Sequence, residues 1–414
     1  MKPKILKLLL GFILIIFPFG QLLGLDLTNN MPGLKLQVID FSVFIFVFIG
    51  LIRVFLKKEK LYIPAFSFGL LIFCGLAVFS LLIKVNQLKL NEFIPSFLYL
   101  LRFLNLTFFF LLLIGFFRKS SNKIYLYLLC IGLIIAFFSL IQYMFVPDTR
   151  FLINFGWDEH YYRAIGAFID PVFTGLLLSL TLIVWLNVNQ IFNGRKIYYW
   201  LLGAILLLAT TLTFSRISYL ALFAGAGLSC SIKKQKKAFL LLALVFIIMV
   251  ALLPKPGGEG VNLWRVSSFI ARLDSIQKTL QIIKDNFWFG VGFNTFRFAQ
   301  KNYGFISLAD WQNTNAGAGT DNGFLFVLAT TGIFGLIFFC FFWLKLFLSA
   351  FKKFNTISGR ILLGCLILVL VSSLVVNCLF YPWILIWLYL LAAKFTADNS
   401  ESIPFLFCSK PDLN

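Results

Sequence analysis

Four arginines and one aspartate stand in the polar breaks of an otherwise apolar chain, and their types are suited to chemistry on a charged substrate. Arg163 lies in Y-Y-R-A-I-G-A-F (Tyr161–Phe168) and Arg216 in T-F-S-R-I-S-Y-L-A-L (Thr213–Leu222). Arg265 and Arg272 lie in a long polar segment that closes on T-D-N-G-F-L (Thr320–Leu325), where Asp321 stands. A guanidinium offers a planar fork of donors matched to phosphate oxygens and stays charged at any relevant pH. A carboxylate such as Asp321 can take a proton from a sugar hydroxyl or orient it. Several arginines facing one outer cavity would suit a pyrophosphate-linked lipid held at a membrane surface.

Each residue also has a plainer reading. Arg163 and Arg265 can be solvated loop residues. Arg216 has apolar neighbours on both sides, so its charge needs a partner or a wet cavity. Arg102 lies inside an apolar run, L-Y-L-L-R-F-L-N, where a charge is either functional or snorkels to the nearer surface. Asp321 can equally be the N-cap of the helix that follows, and Thr320-Asp321-Asn322 reads well as a helix start.

The elements that must position these residues are membrane helices. The chain is 60% hydrophobic and only 13% charged, with apolar stretches separated by short polar breaks. About twelve stretches approach the ~20 residues a span requires, which predicts an all-α polytopic membrane protein. The whole chain, 1–414, reads as one membrane domain. The pair of spans around Ser215 is the least distinct and could be one broken helix. The net charge of +20 does not point to nucleic acid. Its lysines and arginines collect in short breaks, such as Lys57, Lys58 and Lys60 or Lys352, Lys353 and Arg360, as the positive-inside bias places them in the cytoplasm. With both termini inside, residues 147–165 and 254–320 become outer loops.

The segment 254–320 has internal order. From Val266 to Ile283 apolar residues recur at helical spacing, predicting an amphipathic helix resting in the membrane interface. F-G-V-G-F-N-T-F follows at Phe289–Phe296. Its glycines lack the third glycine and the strand–helix setting of a dinucleotide loop, so they predict a tight turn ending that helix. His160, beside Asp158 and Glu159, reads as a solvent-exposed loop residue rather than a metal ligand. None of the seven cysteines forms a Cys-x-x-Cys pair, so neither a metal site nor a disulfide framework is expected. The 53 phenylalanines read as lipid-facing bulk.

Taken in order, these motifs resemble the superfamily of O-antigen polymerases and ligases. The resemblance rests on the turn Ser215-Arg216, Arg272 leading into Gly290–Phe296, the dipeptide Asp321-Asn322, and Gly332 to Gly335. It also rests on F-I-D-P-V-F-T-G at Phe168–Gly175, and it covers about residues 161 to 345. It implies a glycosyltransferase with no cofactor or metal, acting on a glycan carried by undecaprenyl pyrophosphate. An acceptor hydroxyl attacks the anomeric carbon and the lipid pyrophosphate leaves. Asp321, Arg216 and Arg272 would be catalytic, and Arg163, Arg265, Asn322, Asp170 and Arg102 would bind substrate. The ligases carry a histidine where this chain has Asp321, which favours a polymerase of O-antigen or capsule repeat units in a bacterial cytoplasmic membrane. A ligase is the alternative, and a transporter or lipid flippase is a third. A chain-length regulator or flippase would be a fitting partner for the polymerase.

Overall fold

A computed structural model describes residues 4–28, 31–119, 123–189, 196–232, 236–253, 259–307, 311–312, 319–399 and 402–405. Among them twelve apolar helices occupy the expected positions. They are α1 (Lys4–Ile16), α2 (Val38–Lys57), α3 (Phe68–Ile83), α4 (Leu90–Arg118), α5 (Ile124–Phe145), α6 (Pro171–Asn187), α7 (Lys196–Thr211), α8 (Arg216–Ile232) and α9 (Lys236–Leu252), then α12 (Gly323–Lys352), α13 (Ile357–Ser373) and α14 (Pro382–Asn399). Between α9 and α12 lie α10 (Ser267–Asp285) and the short α11 (Phe296–Asn302). Strand is confined to two short antiparallel pairs, β1 (Gly24–Asp26) with β2 (Lys35–Gln37) and β3 (Leu61–Pro64) with β4 (Ser402–Phe405). The chain is an all-α polytopic membrane protein.

Six of these helical segments are long and apolar enough to cross a membrane by themselves, and five more are shorter apolar helices. At ~1.5 Å per residue the shorter ones reach about 25 Å, so they depend on neighbours rather than lipid. α6 and α14 are buried along almost their whole length and form the centre of the bundle. A helix apolar on every face is stable only where neighbours surround it. Longer helices such as α2 and α5 stand outside and expose Phe44, Phe48 and Phe137.

The phenylalanines are divided between surface and core, so the reading as lipid-facing bulk covers only part of them. Phe46, Phe73, Phe109, Phe110 and Phe339 are fully buried. Phe380 alone has the rings of Phe73, Phe103, Phe293, Phe326 and Phe339 around it, with centroids 5.4–6.5 Å away. Such offset and edge contacts fill space between helices in addition to burying area.

The region around Ser215 is two separate helices joined by the turn 212–215 and not one continuous broken helix. At one end Trp185 Nε1 donates to Tyr199 O (2.8 Å), joining the end of α6 to the start of α7. At the other end α7 stops at Thr211 and α8 begins at Arg216, with Phe214 between them at φ 46°. The helix that is broken is α12, at Gly332 (φ 70°, ψ −171°). A break inside a membrane helix frees backbone groups that need new partners. Here the F-G-V-G stretch supplies them. Val291 N donates to Ala329 O (2.9 Å), Gly292 N to Thr330 O (3.1 Å) and Ile333 N to Phe287 O (2.9 Å). Ser80 Oγ of α3 adds a bond to Thr330 O (2.6 Å). A Cβ at Gly332 would lie 2.1 Å from Trp288 O, and one at Gly290 2.3 Å from the Thr330 carbonyl carbon. The two glycine motifs are therefore halves of one backbone joint. The turn expected at Gly290 exists, but it seals α12 as well as following α10.

Four connections meet at one end of the bundle. Gln21 Nε2 donates to Tyr381 OH (3.4 Å), Tyr99 OH to Gly33 O (2.9 Å), Lys84 Nζ to Asn286 Oδ1 (3.3 Å) and Asn322 Nδ2 to Leu374 O (3.0 Å). The opposite end carries the basic breaks, with Arg53 and Lys119 both on Glu59.

Candidate active site

The connections at that end enclose a cavity of about 500 Å³. Its polar wall includes Lys35, Arg102, Arg272 and Arg297 together with Asp158, Asp170 and Asp321. Its apolar wall includes Phe173, Phe293, Phe380, Tyr381 and Trp383. Phe173 stacks on Tyr381 at 3.8 Å between centroids.

Asp321 and Arg272 reach this cavity from opposite elements. α10 packs along α12, burying Thr279, Ile282 and Ile283. That seating turns Arg272 inward and leaves Phe269, Ile270, Leu273 and Leu280 of the apolar stripe exposed. The helix forms as expected, but it packs through Ile282 and Ile283 near its C-terminal end, while the N-terminal part of the stripe stays exposed. The residue that caps α12 is Asn322 and not Asp321. Asn322 Oδ1 accepts from Phe324 N (2.9 Å) and Leu325 N (3.0 Å). Asp321 is thereby released from capping and lines the cavity. Burial raises its carboxyl above the ordinary aspartate value, while nearby Arg272 and a bond from Ser275 pull it back in part. Burial in turn lowers the Arg272 guanidinium, against the pull of Asp321, and Arg216 lowers it further. A carboxylate raised in this way is a stronger proton acceptor than an ordinary aspartate.

The other two predicted residues that line the cavity are already engaged. Asp170 caps α6, accepting from Val172 N (2.6 Å) and Phe173 N (3.0 Å). Arg102 Nη2 pairs with Asp40 and donates to Lys35 O (2.8 Å), and its guanidinium lies 4.6 Å from the Tyr99 ring centroid. Its charge is met inside the protein, so snorkelling is not its explanation.

Arg163, Arg216, Arg265 and Asn322 are not in the cavity wall. Arg163 is buried and donates through Nε to Thr213 O (3.0 Å) and through Nη2 to Phe214 O (3.4 Å), fixing the turn before Ser215. Burial and Arg265 bring its guanidinium down to about 10. Arg216 donates to Arg265 O (3.0 Å), Leu263 O (3.3 Å) and Ser268 Oγ, which fastens the start of α10 to α8. Arg265 donates to Gly260 O (2.6 Å). Arg163, Arg216 and Arg265 thus donate to backbone carbonyls and are not gathered in the cavity. His160 is also not exposed: it is buried, and burial with Arg163 and Arg265 holds it down to about 3.

The sequence reading missed several wall residues. Lys35 Nζ sits 3.9 Å from the Trp157 ring centroid and 3.5 Å from Asp26. Arg297 is buried, with Nη1 donating to Trp311 O (2.6 Å). Gly33 lies against it, and a Cβ there would meet Arg297 Nε at 2.8 Å. Thr320 Oγ1 and Asn377 Oδ1 are buried without a hydrogen-bond partner among the described residues, and both residues line the cavity. Buried polar atoms left unpaired in a cavity wall are expected to meet a ligand. A charge in F-N-T-F-R-F, directly after the glycine motif, was the available signal for Arg297. Among the described residues no group of three His, Cys, Asp or Glu side chains could hold a metal ion.

Comparison with known proteins adds one finding. Residues 201–340 match the protein-family model described as O-antigen ligase. The match begins in α7, contains Ser215-Arg216, α10 with Arg272, the backbone joint and Asp321, and ends in α12 beyond the break. No curated protein matches the chain at a significant level. The elements that carry Arg272 and Asp321 into the cavity thus lie within the stretch that is similar to the O-antigen ligase family.

Proposed function

We propose that the protein polymerises oligosaccharide repeat units carried on undecaprenyl pyrophosphate, at the outer face of a bacterial cytoplasmic membrane. The observation that carries this reading is that Arg272 and Asp321 line one cavity, close enough for each charge to act on the other. In the proposed step an acceptor sugar hydroxyl attacks the anomeric carbon of the donor. A new C–O bond forms and the anomeric bond to the pyrophosphate oxygen breaks. The hydroxyl proton passes to the Asp321 carboxylate. The charge growing on the pyrophosphate is met by Arg272, with Arg297 and Lys35 on the same wall, by electrostatic stabilisation in a partly dry site. Phe173 and Tyr381 offer a stacked aromatic wall for sugar rings, and Thr320 and Asn377 offer acceptors for sugar hydroxyls. Arg216 and Arg163 serve as positioning residues for α10 and for the α7–α8 turn. The exposed stripe of α10 rests in the membrane interface, where the lipid-linked donor arrives.

A transporter draws support from the break in α12, since discontinuous helices often form transport sites. Here the freed carbonyls of Ala329 and Thr330 are taken by Val291 and Gly292. They are spent on structure and leave no ion or substrate site at the break. The experiment that tests the proposal uses purified full-length protein in liposomes with lipid-linked repeat units. Lipid-linked ladders of increasing length, formed with no other acceptor, are expected. Transfer only after a different acceptor is added would show a ligase. Movement of the lipid-linked unit across the bilayer without new glycosidic bonds would show a transporter.

A further inference from the structure

At the end of the bundle opposite the catalytic cavity, α1, α2 and α4 leave a second cleft of about 230 Å³. Its inner wall is apolar, formed by Leu6, Val54, Leu111, Leu112 and Phe116. Gly50 of α2 and Gly115 of α4 also line it. A Cβ at Gly115 would find only ordinary contacts, the nearest being Tyr62 at 3.5 Å, so the absence of a side chain keeps a slot open. The rim is charged: Lys7, Arg53, Lys60 and Lys119 surround a single carboxylate, Glu59. Glu59 is already shared, accepting from Arg53 Nε (3.1 Å) and from Lys119 Nζ (3.2 Å). Among the described residues no carboxylate pairs with Lys7 or Lys60. The rim therefore keeps a surplus of positive charge after its one anion is counted. Nearby Leu8 (72% exposed) and Leu56 (79% exposed) present apolar surface outward, as lipid-facing helices do.

We propose that this cleft binds one anionic phospholipid, with its phosphodiester held at the Lys7–Lys60 rim and an acyl chain lying in the slot over Gly115. A soluble anion would satisfy the lysines but has no use for the apolar wall. A zwitterionic lipid would fill the slot but brings its own cation to a rim already positive. Basic clefts between membrane helices select anionic headgroups for this reason, each lysine near the surface contributing about 1 kcal/mol, or about five-fold in affinity. Lipid at this cleft would join α1 to the α2–α4 pair.

The test is native mass spectrometry of the full-length protein purified in detergent, with phosphatidylglycerol and phosphatidylcholine supplied equally, alongside thermal midpoints with each lipid. The wild-type protein is expected to retain phosphatidylglycerol in preference by at least about five-fold. The pair Lys7→Gln and Lys60→Gln should bring the two lipids to parity. Gly115→Leu should reduce retention of both lipids with the charge unchanged. Lys352→Gln with Lys353→Gln, also at the basic end but outside the cleft, should leave the preference intact. Equal retention of both lipids by the wild-type protein would overturn the proposal. So would an equal loss in the Lys352/Lys353 control, which would mean a diffuse basic face. Thermal protection by inorganic phosphate equal to that by phosphatidylglycerol would mean a soluble anion and would overturn it too.

Discussion

Arg216 and Arg272 sit about one protein segment apart in the same motif set, yet their guanidinium groups are used in different ways. Arg216 is held by two backbone carbonyls and the Ser268 hydroxyl. Arg272 lines the cavity beside Asp321, and no hydrogen bond to a described residue ties its guanidinium. A guanidinium whose donors are spent on carbonyls orders the chain around it. One whose donors face a cavity can receive the oxygens of a substrate. The same contrast separates Asn322, which caps α12, from Asp321, which is left to face the cavity. In the proposed reading, the chemistry at this end of the bundle falls to Arg272 and Asp321, which the local structure leaves facing the cavity.

The largest expected effect tests the cavity side of this contrast. Arg272→Ala and Asp321→Ala should each lower turnover by about 10²–10³ while leaving the thermal midpoint in detergent unchanged. A midpoint falling in step with activity would erase the distinction from Arg216. Next is Arg216→Ala, which should lower both activity and thermal stability because α10 loses its tether. A double-mutant cycle of Arg216→Ala with Ser268→Ala should show coupling of about 1 kcal/mol. No coupling would return Arg216 to the candidate catalytic residues.

The pH profile sharpens the role of Asp321. Its folded carboxyl lies above the ordinary aspartate value, so the ionised base is lost at a higher pH than an ordinary aspartate would lose it. Activity should therefore fall on the acid side earlier than usual, and Asp321→Asn should show a low rate without that limb. Stability responds in the opposite sense, since a raised carboxyl binds its proton more tightly folded than unfolded, and its ionisation as pH rises costs stability. The smallest effect is expected for Asn322→Ala, about 1 kcal/mol of stability from the lost cap, with turnover largely retained once the protein is folded. A loss of turnover as deep as that of Asp321→Ala would instead place Asn322 in the reaction.

The legibility of the chain follows the range of each signal. Helix positions were readable because an apolar run of suitable length has one stable form in a bilayer. The amphipathic α10 was readable for its 3.6-residue period. What that period left open was which side would pack. The apolar residues Phe269, Ile270 and Leu273 stay outside, and Arg272 turns in. Lys35 carried no local signal and Arg297 only its charge beside the glycine motif, because each becomes a wall residue through contact with distant loops. Phe380 looked like bulk until five other rings closed around it.

The sequence by itself determined that this chain is a bundle of apolar helices with its motifs collected between residues 161 and 345. It did so because hydropathy and motif order are properties of neighbouring residues. Only the tertiary structure decided which charges are free. Pairing Arg102 with Asp40, seating Arg163 on Thr213 and Phe214, and sealing the break in α12 with the Gly290 turn all join segments far apart in the chain. A buried charge or carbonyl is satisfied by whatever the fold brings to it, and that cannot be computed from the residues on either side.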